Sequence, residues 1–449
     1  MARSERFMVA HLLRRAGFGA SKADLDAYTA LGFEGAVDRL LNYTSVDDSA
    51  LESTIARMRD ENPAVSNPDR PEGGNFELES GIWLTRMTLT KRPLQEKMTL
   101  FWHGLLTSSI VEVKGAPLMY RQNSLYRTNA LTTNFKELMK AVARDPAMLI
   151  YLDNNTNRKG KPNENWAREL MELFTLGIGN YTETDVKEAA RAFTGWTVNR
   201  EGNFVFNRQQ HDSDSKTVLG VTGNLDGDDV MEILFNQPAH GKYLARRLIR
   251  FFVFDTPDEA MVNRYASIYV QSGFNVKETM RQLLLSPEFR SDQAYFTLIK
   301  SPLEFTIGAL RALSASFTDL RSWRAINQQM RTMGQQVYAP PDVSGWAGNR
   351  NWMNSTTYYT RANLAQQLVA AENATTIDPT EIANAAGINT PQAAIDYFLD
   401  LLVQSDVPSN YRTDLLNFTG TTFKDARDKD GKLRGLVRLI MSTPAYQMN

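Results

Sequence analysis

Lys161–Trp196 reads KPNENWARELMELFTLGIGNYTETDVKEAARAFTGW, and nearly every position in it has an assignable structural job. Pro162 suits a first helical turn, where its missing N–H costs nothing. At about 100° per residue from Asn163, the side chains of Trp166, Ala167, Leu170, Met171, Leu173 and Phe174 gather on one half of a helix. Glu164, Asn165, Arg168, Glu169 and Glu172 gather on the other. Gly177 is expected to end the helix. Thr182 with Asp185 then forms a capping-box pattern that opens a second helix through Glu188 and Arg191, stopping near Gly195.

Two readings of the polar face stand side by side. Glu164, Arg168 and Glu172 form an i, i+4 ladder suited to a solvated surface, each pair worth roughly 0.2–0.5 kcal/mol. Alternatively Asn165, Glu169 and Glu172 present oxygen atoms to a shared pocket, as carboxylates do inside helical metal proteins. Amphipathicity does not separate the two.

The block from Pro162 to Trp196 resembles the central signature of the bacterial family DUF1800, a domain of unknown function. Further segments match in the same order: HLLRRAGFG (His11 to Gly19), EKMTLFWHGLL (Glu96 to Leu106), the HD and KTVLG pieces between His211 and Gly220, ARRLIRFFV (Ala245 to Val253), LLLSPEF (Leu283 to Phe289) and PPDVSGWAGNRNWMNSTT (Pro340 to Thr357). The resemblance spans almost the whole chain. It implies family membership and, because the family is defined by sequence, no activity.

The 449 residues carry 42% hydrophobic and 22% charged content with net charge −1, which predicts a large buried core and no generic nucleic-acid or anionic-membrane surface. Cysteine is absent, so disulfides, thiolate metal sites and thiol nucleophiles are excluded. The start, MARSERFMVAHLLRRAGFGAS, has no apolar core of a signal peptide, and no stretch of about 20 apolar residues is present. A cytoplasmic protein without a membrane span is expected, or an exported one if the start was trimmed, since family members are often exported.

Along the chain the patterning is mainly α. Ser21 to Leu41 predicts two short helices split at Leu31-Gly32-Phe33, Asp60 to Gly74 a surface loop, and Glu77 to Lys91 a helix. The helix after Pro93 is apolar around much of its circumference and is expected to be buried, with Glu96, Thr99 and His103 on its one polar stripe. Phe135 to Val142 and Pro146 to Tyr151 add helices. Asp153 to Asn157 is a polar turn that suits either a hard cation or an ordinary Asx turn. A small β-hairpin insertion is expected around 196–219, pairing Thr197-Val198 with Phe204-Val205-Phe206, with Lys216 to Leu219 as a third short strand. A single multi-helix unit follows, divisible into helical parts 1–292 and 293–449. Glu278 to Ser291 and Leu433 to Gln447 echo each other as amphipathic helices ending in Ser/Thr-Pro and an aromatic, a shared helix-stop device. Asp378 to Ser405 has a helix start at Thr380-Glu381 and helical spacing at Ile395, Phe398, Leu399 and Leu402.

The chemistry-bearing residues are few. There is no G-x-S-x-G elbow, Walker loop, dinucleotide glycine fingerprint or H-E-x-x-H helix. Of the four histidines, His11, His103 and His211 fall in family-like blocks, while His240 precedes a helix bearing Arg246, Arg247 and Arg250, which suit either recognition of a phosphate or carboxylate or ordinary surface salt bridges. The leading expectation is a metal-dependent enzyme of hydrolytic or oxidative chemistry on an unidentified substrate. Its ligands would be His103, Glu169, Glu172, His211 and Asp212, holding Zn²⁺, Mn²⁺ or Fe²⁺, with Ca²⁺ or Mg²⁺ as the hard-cation alternative. Glu96 would orient His103, and Arg168 or Arg191 would hold an anionic group. The alternative is a non-catalytic binding module that grips a glycan or protein partner through Trp346, Trp352 and Asn354, with Trp196 as a further contact surface. A third reading makes the buried polar residues a purely structural network.

Overall fold

The computed structural model describes residues 3–62, 75–315, 319–370 and 377–449. It is mainly α, with 24 α-helices among the described residues and two small antiparallel sheets. Most of the expected loop at Asp60 to Gly74 falls on 63–74, outside the described residues. No described helix is long and apolar enough to cross a membrane.

Local chemistry sets the helix ends. Ser21 caps Lys22–Thr29, and Gly32–Leu41 follows as the second short helix. The Thr182–Asp185 capping box is formed and starts Glu183–Ala192. Asp226–Asp229 and Ser301–Glu304 make two more boxes, at Gly227–Phe235 and Pro302–Ala312. Ser286 and Thr443 are the paired helix stops: the hydroxyl of each accepts the N–H three residues on, from Phe289 and Tyr446. Each turn thereby drops its aromatic ring into a core.

The central stretch departs from a regular helix. Asn165–Glu169 is α-helical, but Leu170–Thr175 widens into a π turn. Thr175 Oγ1 donates to Leu170 O at 2.5 Å, and the N–H groups of Leu176 and Gly177 both reach Met171 O. A hydroxyl competing for a main-chain carbonyl is a recognised way to loosen the i to i−4 ladder. Apolar periodicity is blind to it, because both turn types bury Leu170, Met171 and Phe174.

The insertion holds two hairpins. β1 (Trp196–Val198) pairs with β2 (Phe204–Phe206) as expected. β3 (Lys216–Val218) does not extend that sheet; it pairs with β4 (Val221–Gly223) through Leu219-Gly220. Gly195 permits the first hairpin to close. Its φ is +83°, and a Cβ there would lie 2.4 Å from Asn207 O.

Two apolar cores form. One gathers the helices Glu5–Arg15, Phe135–Ala143, Glu183–Ala192, Pro238–Phe252 and Glu259–Gln271 with the central stretch. The other joins Ser49–Asp60 and Phe76–Leu89 to the helices between Pro302 and Met441. Pro93–Leu105 serves both, giving Met98 and Trp102 to the first and Leu100 to the second. A cleft opens where the two cores meet along this helix.

Candidate functional site

His103 sits on the buried helix Pro93–Leu105, as its apolar circumference predicts, and is 1% exposed. Three aromatic rings surround it: Trp83 at 5.4 Å, Trp346 at 5.6 Å and Tyr338 at 5.8 Å between centroids. Its Nε2 meets no hydrogen-bond partner among the described residues. Burial pushes the imidazole down to about 3, so it is neutral. The Glu96 carboxylate does not orient it. Glu96 instead accepts from Arg127 Nε at 2.6 Å and from Trp83 Nε1 at 3.0 Å.

The other expected ligands lie in separate environments. Glu172 accepts from Tyr181 OH at 2.6 Å, and Glu169 beside it is pushed up by partial burial and by the Glu172 charge. Asp212 accepts from Arg191 Nε at 2.8 Å, while its own N–H donates to Thr194 Oγ1. His211 Nδ1 donates to Thr194 O at 2.9 Å. The five residues are therefore not assembled as one ligand group, and among the described residues no three His, Asp or Glu side chains converge as metal ligands.

The two arginines assigned to an anionic substrate are occupied within the chain. Arg168 forks onto Glu183 and also reaches Glu164. Arg191 binds Glu188 as well as Asp212, and Glu188 accepts from the Thr217 N–H, tying Glu183–Ala192 to the second hairpin. The polar turn at Asp153 to Asn157 is spent likewise: Asn154 Nδ2 donates to Trp196 O, and Asn157 Nδ2 to Ala190 O. His11 and His240 are buried and bonded to Phe289 O and Tyr269 OH.

Trp346 and Trp352 line a cavity of about 310 Å³ at the junction of the two cores. Trp196 is a core residue outside it, packed edge-on to Phe193 and Phe204, and Asn354 is the capping residue of Ser355–Val369. One wall is Leu100, Phe101 and Gly104; a second is Arg247, Arg250 and Phe251 of the helix Pro238–Phe252; Ser301, Glu304 and Gln335 close the base. Gly345 lets the aromatic segment lie on the Gly104 backbone, since φ is +81° and a Cβ would come 2.3 Å from Gly104 O.

Charge in this cavity is uneven. Asp255 is matched by Arg250 at 3.0 Å, and Glu304 by the buried Lys97. Arg247 has no carboxylate partner among the described residues; its one hydrogen bond is a 3.5 Å contact to Gly104 O. Trp346 Nε1 is buried without an acceptor among the described residues. Lys97 and Glu304 were not legible as site residues, and Arg247 was legible only as one of three arginines able to meet a phosphate or carboxylate or to sit in a surface salt bridge. Lys97 and Arg247 do sit in family-like blocks beside His103 and Arg246, but nothing in the sequence says which arginine of ARRLIRFFV faces the cleft.

The chain belongs to the DUF1800 family: the model of that family, described as a protein of unknown function, matches residues 11–448. No curated protein and no solved structure matches the chain.

Proposed function

We propose that this DUF1800 protein is a binding module whose cleft between the two cores takes an acidic saccharide. The observation that carries the reading is Arg247, a cation without a carboxylate partner among the described residues, lining the same cavity as Trp346 and Trp352. Flat indole faces suit the apolar face of a sugar ring, and an unpaired guanidinium suits a carboxylate in bidentate geometry. The side chains of Ser301, Gln335 and Asn349 supply donors and acceptors for hydroxyl groups. A cavity of 310 Å³ falls at the lower end of ordinary ligand pockets, which favours a short saccharide.

The test is calorimetric titration with uronic-acid oligosaccharides and their neutral counterparts. Acidic ligands bind more tightly, and Arg247→Met removes that preference by about 10- to 100-fold, as loss of a hydrogen bond to a charged group implies. Trp346→Ala abolishes binding of both. Equal affinity for acidic and neutral ligands, or indifference to Arg247→Met, refutes the reading.

A further inference from the structure

Gln335 is 3% exposed, yet half of its side-chain amide is unused. A helix stop delivers it to the cleft. After Leu320–Thr332, Gly334 takes φ +94°, the Gly334 N–H donates to Arg331 O at 2.9 Å, and the Gln335 N–H donates to Met330 O at 3.0 Å. This paired closure is the Schellman motif, and it fixes where the Gln335 side chain starts. A Cβ on Gly334 would lie 3.9 Å from the Trp352 ring, so the turn is seated beside the aromatic wall.

The far end of the side chain is locked as well. Gln335 Oε1 accepts at 2.9 Å from the Leu303 N–H, one of the first-turn donors that the helix Pro302–Ala312 cannot satisfy itself. A backbone N–H can face only the amide oxygen, which orients the group. Its NH2 donates to no described residue and, unlike Trp346 Nε1, is not sealed from solvent. The space that Gln335 lines is the cleft.

The acceptors beside it at the base are engaged. Gln335 Oε1 holds Leu303, Ser301 Oγ accepts from the Glu304 N–H, and the Glu304 carboxylate accepts from Lys97 and from the Ser301 N–H. A ligand hydroxyl bonded to the Gln335 NH2 would need one of them for its own proton. A carbonyl oxygen needs none, because it only accepts. Leu100 and Leu298 line the same cavity and suit a methyl group. Carbonyl and methyl together make an acetyl group.

We infer that Gln335 is a specificity-determining residue whose NH2 donates to the carbonyl oxygen of an acetyl group, so that the acidic saccharide taken by the cleft is an acetylated one. The inference rests on the reading of the cleft as a saccharide site and narrows it. An acetyl group borne on nitrogen or on oxygen presents the same carbonyl.

The experiment is calorimetric titration of the full chain with two matched pairs of uronic-acid disaccharides. One pair differs by an acetamido group against a hydroxyl, the other by an O-acetyl ester against its free hydroxyl. The acetylated member binds about 3- to 10-fold more tightly, as one neutral hydrogen bond implies, and the pair that responds more strongly tells N-acetyl from O-acetyl. Gln335→Glu keeps an oxygen for the Leu303 N–H, replaces the donor by an acceptor, and brings the ratio within each pair to one or below. Should the added charge unfold that variant, Gln335→Met removes the donor without it. The ratio is the readout, since a loss of packing weakens both members of a pair alike. Equal binding within both pairs by the parent protein, or a preference that survives the substitution, overturns the inference and leaves the cleft a saccharide site. No binding of any of the four overturns both.

Discussion

The imidazole of His103 lies 5.6 Å from the indole of Trp346, centroid to centroid and tilted by 60°. The histidine thus backs the wall whose front faces the cleft, and its contribution is made through an aromatic ring. Its effect on the fold is electrostatic as well as steric, because a buried neutral imidazole links stability to pH.

The sign follows from the two states. An unfolded histidine takes up a proton below about pH 6.5, whereas folded His103 and His240 do so only near 3. Stability from each is fully present above 6.5 and is lost as pH falls toward 3, by about 1.4 kcal/mol per unit. Buried Asp145, raised to about 6 by burial, acts in the opposite sense, since its proton is held more tightly in the folded state. The comparison is therefore made on one residue: urea unfolding at pH 7.5 and 5 should show His103→Phe losing about 2 kcal/mol less than the parent. Equal losses would place the titration elsewhere.

Lys97 and Glu304, from helices 207 residues apart, form an ion pair at the base of the cleft. Glu304→Gln strands a buried ammonium and should cost about 3–5 kcal/mol, while Lys97→Met combined with Glu304→Gln should recover most of it. Chemical unfolding of the two single variants and the double variant measures the coupling. An additive double variant would mean that the charges do not interact.

Gly345→Ala tests the seating of the aromatic segment. The new methyl group meets Gly104 O, so the segment must lift, at about 1–3 kcal/mol, and ligand affinity should fall with the helical circular dichroism unchanged. Gly348→Ala is the control: its φ of +72° is also left-handed, but the nearest atom to its Cβ is 4.0 Å away. Equal effects of the two would assign the loss to backbone strain alone.

Asp212→Asn removes the charge that Arg191 Nε and the Asp214 N–H share in the loop leading into the second hairpin. The Arg191 guanidinium holds the Asp212 carboxyl below its ordinary range, so this stability is present above about pH 4 and lost as pH falls through the lowered value. At neutral pH the substitution should cost about 1–3 kcal/mol. Faster amide exchange in β3 and β4, with β1 and β2 unchanged, would locate the loss; uniform exchange would contradict it.

The Thr182–Asp185 capping box, the first hairpin, the buried helix at Pro93 and the two Ser/Thr-Pro stops were all legible in the sequence, because each depends on residues within a few positions of one another. The π turn at Leu170 was not, since Thr175 makes it by choosing one carbonyl over another. β4 was missed because Val221-Thr222-Gly223 is short and carries little apolar signal.

Family membership and the mainly α architecture were thus settled by sequence, through local chemistry and spacing. Which charges remain available was decided by the tertiary structure alone. Arg168 and Arg191 carry the same side chain as Arg247, but Glu183 and Asp212 fold onto the first two and no carboxylate among the described residues meets the third. A side chain's type sets what it is able to bind, and only the packing of distant helices sets whether another residue has already claimed it.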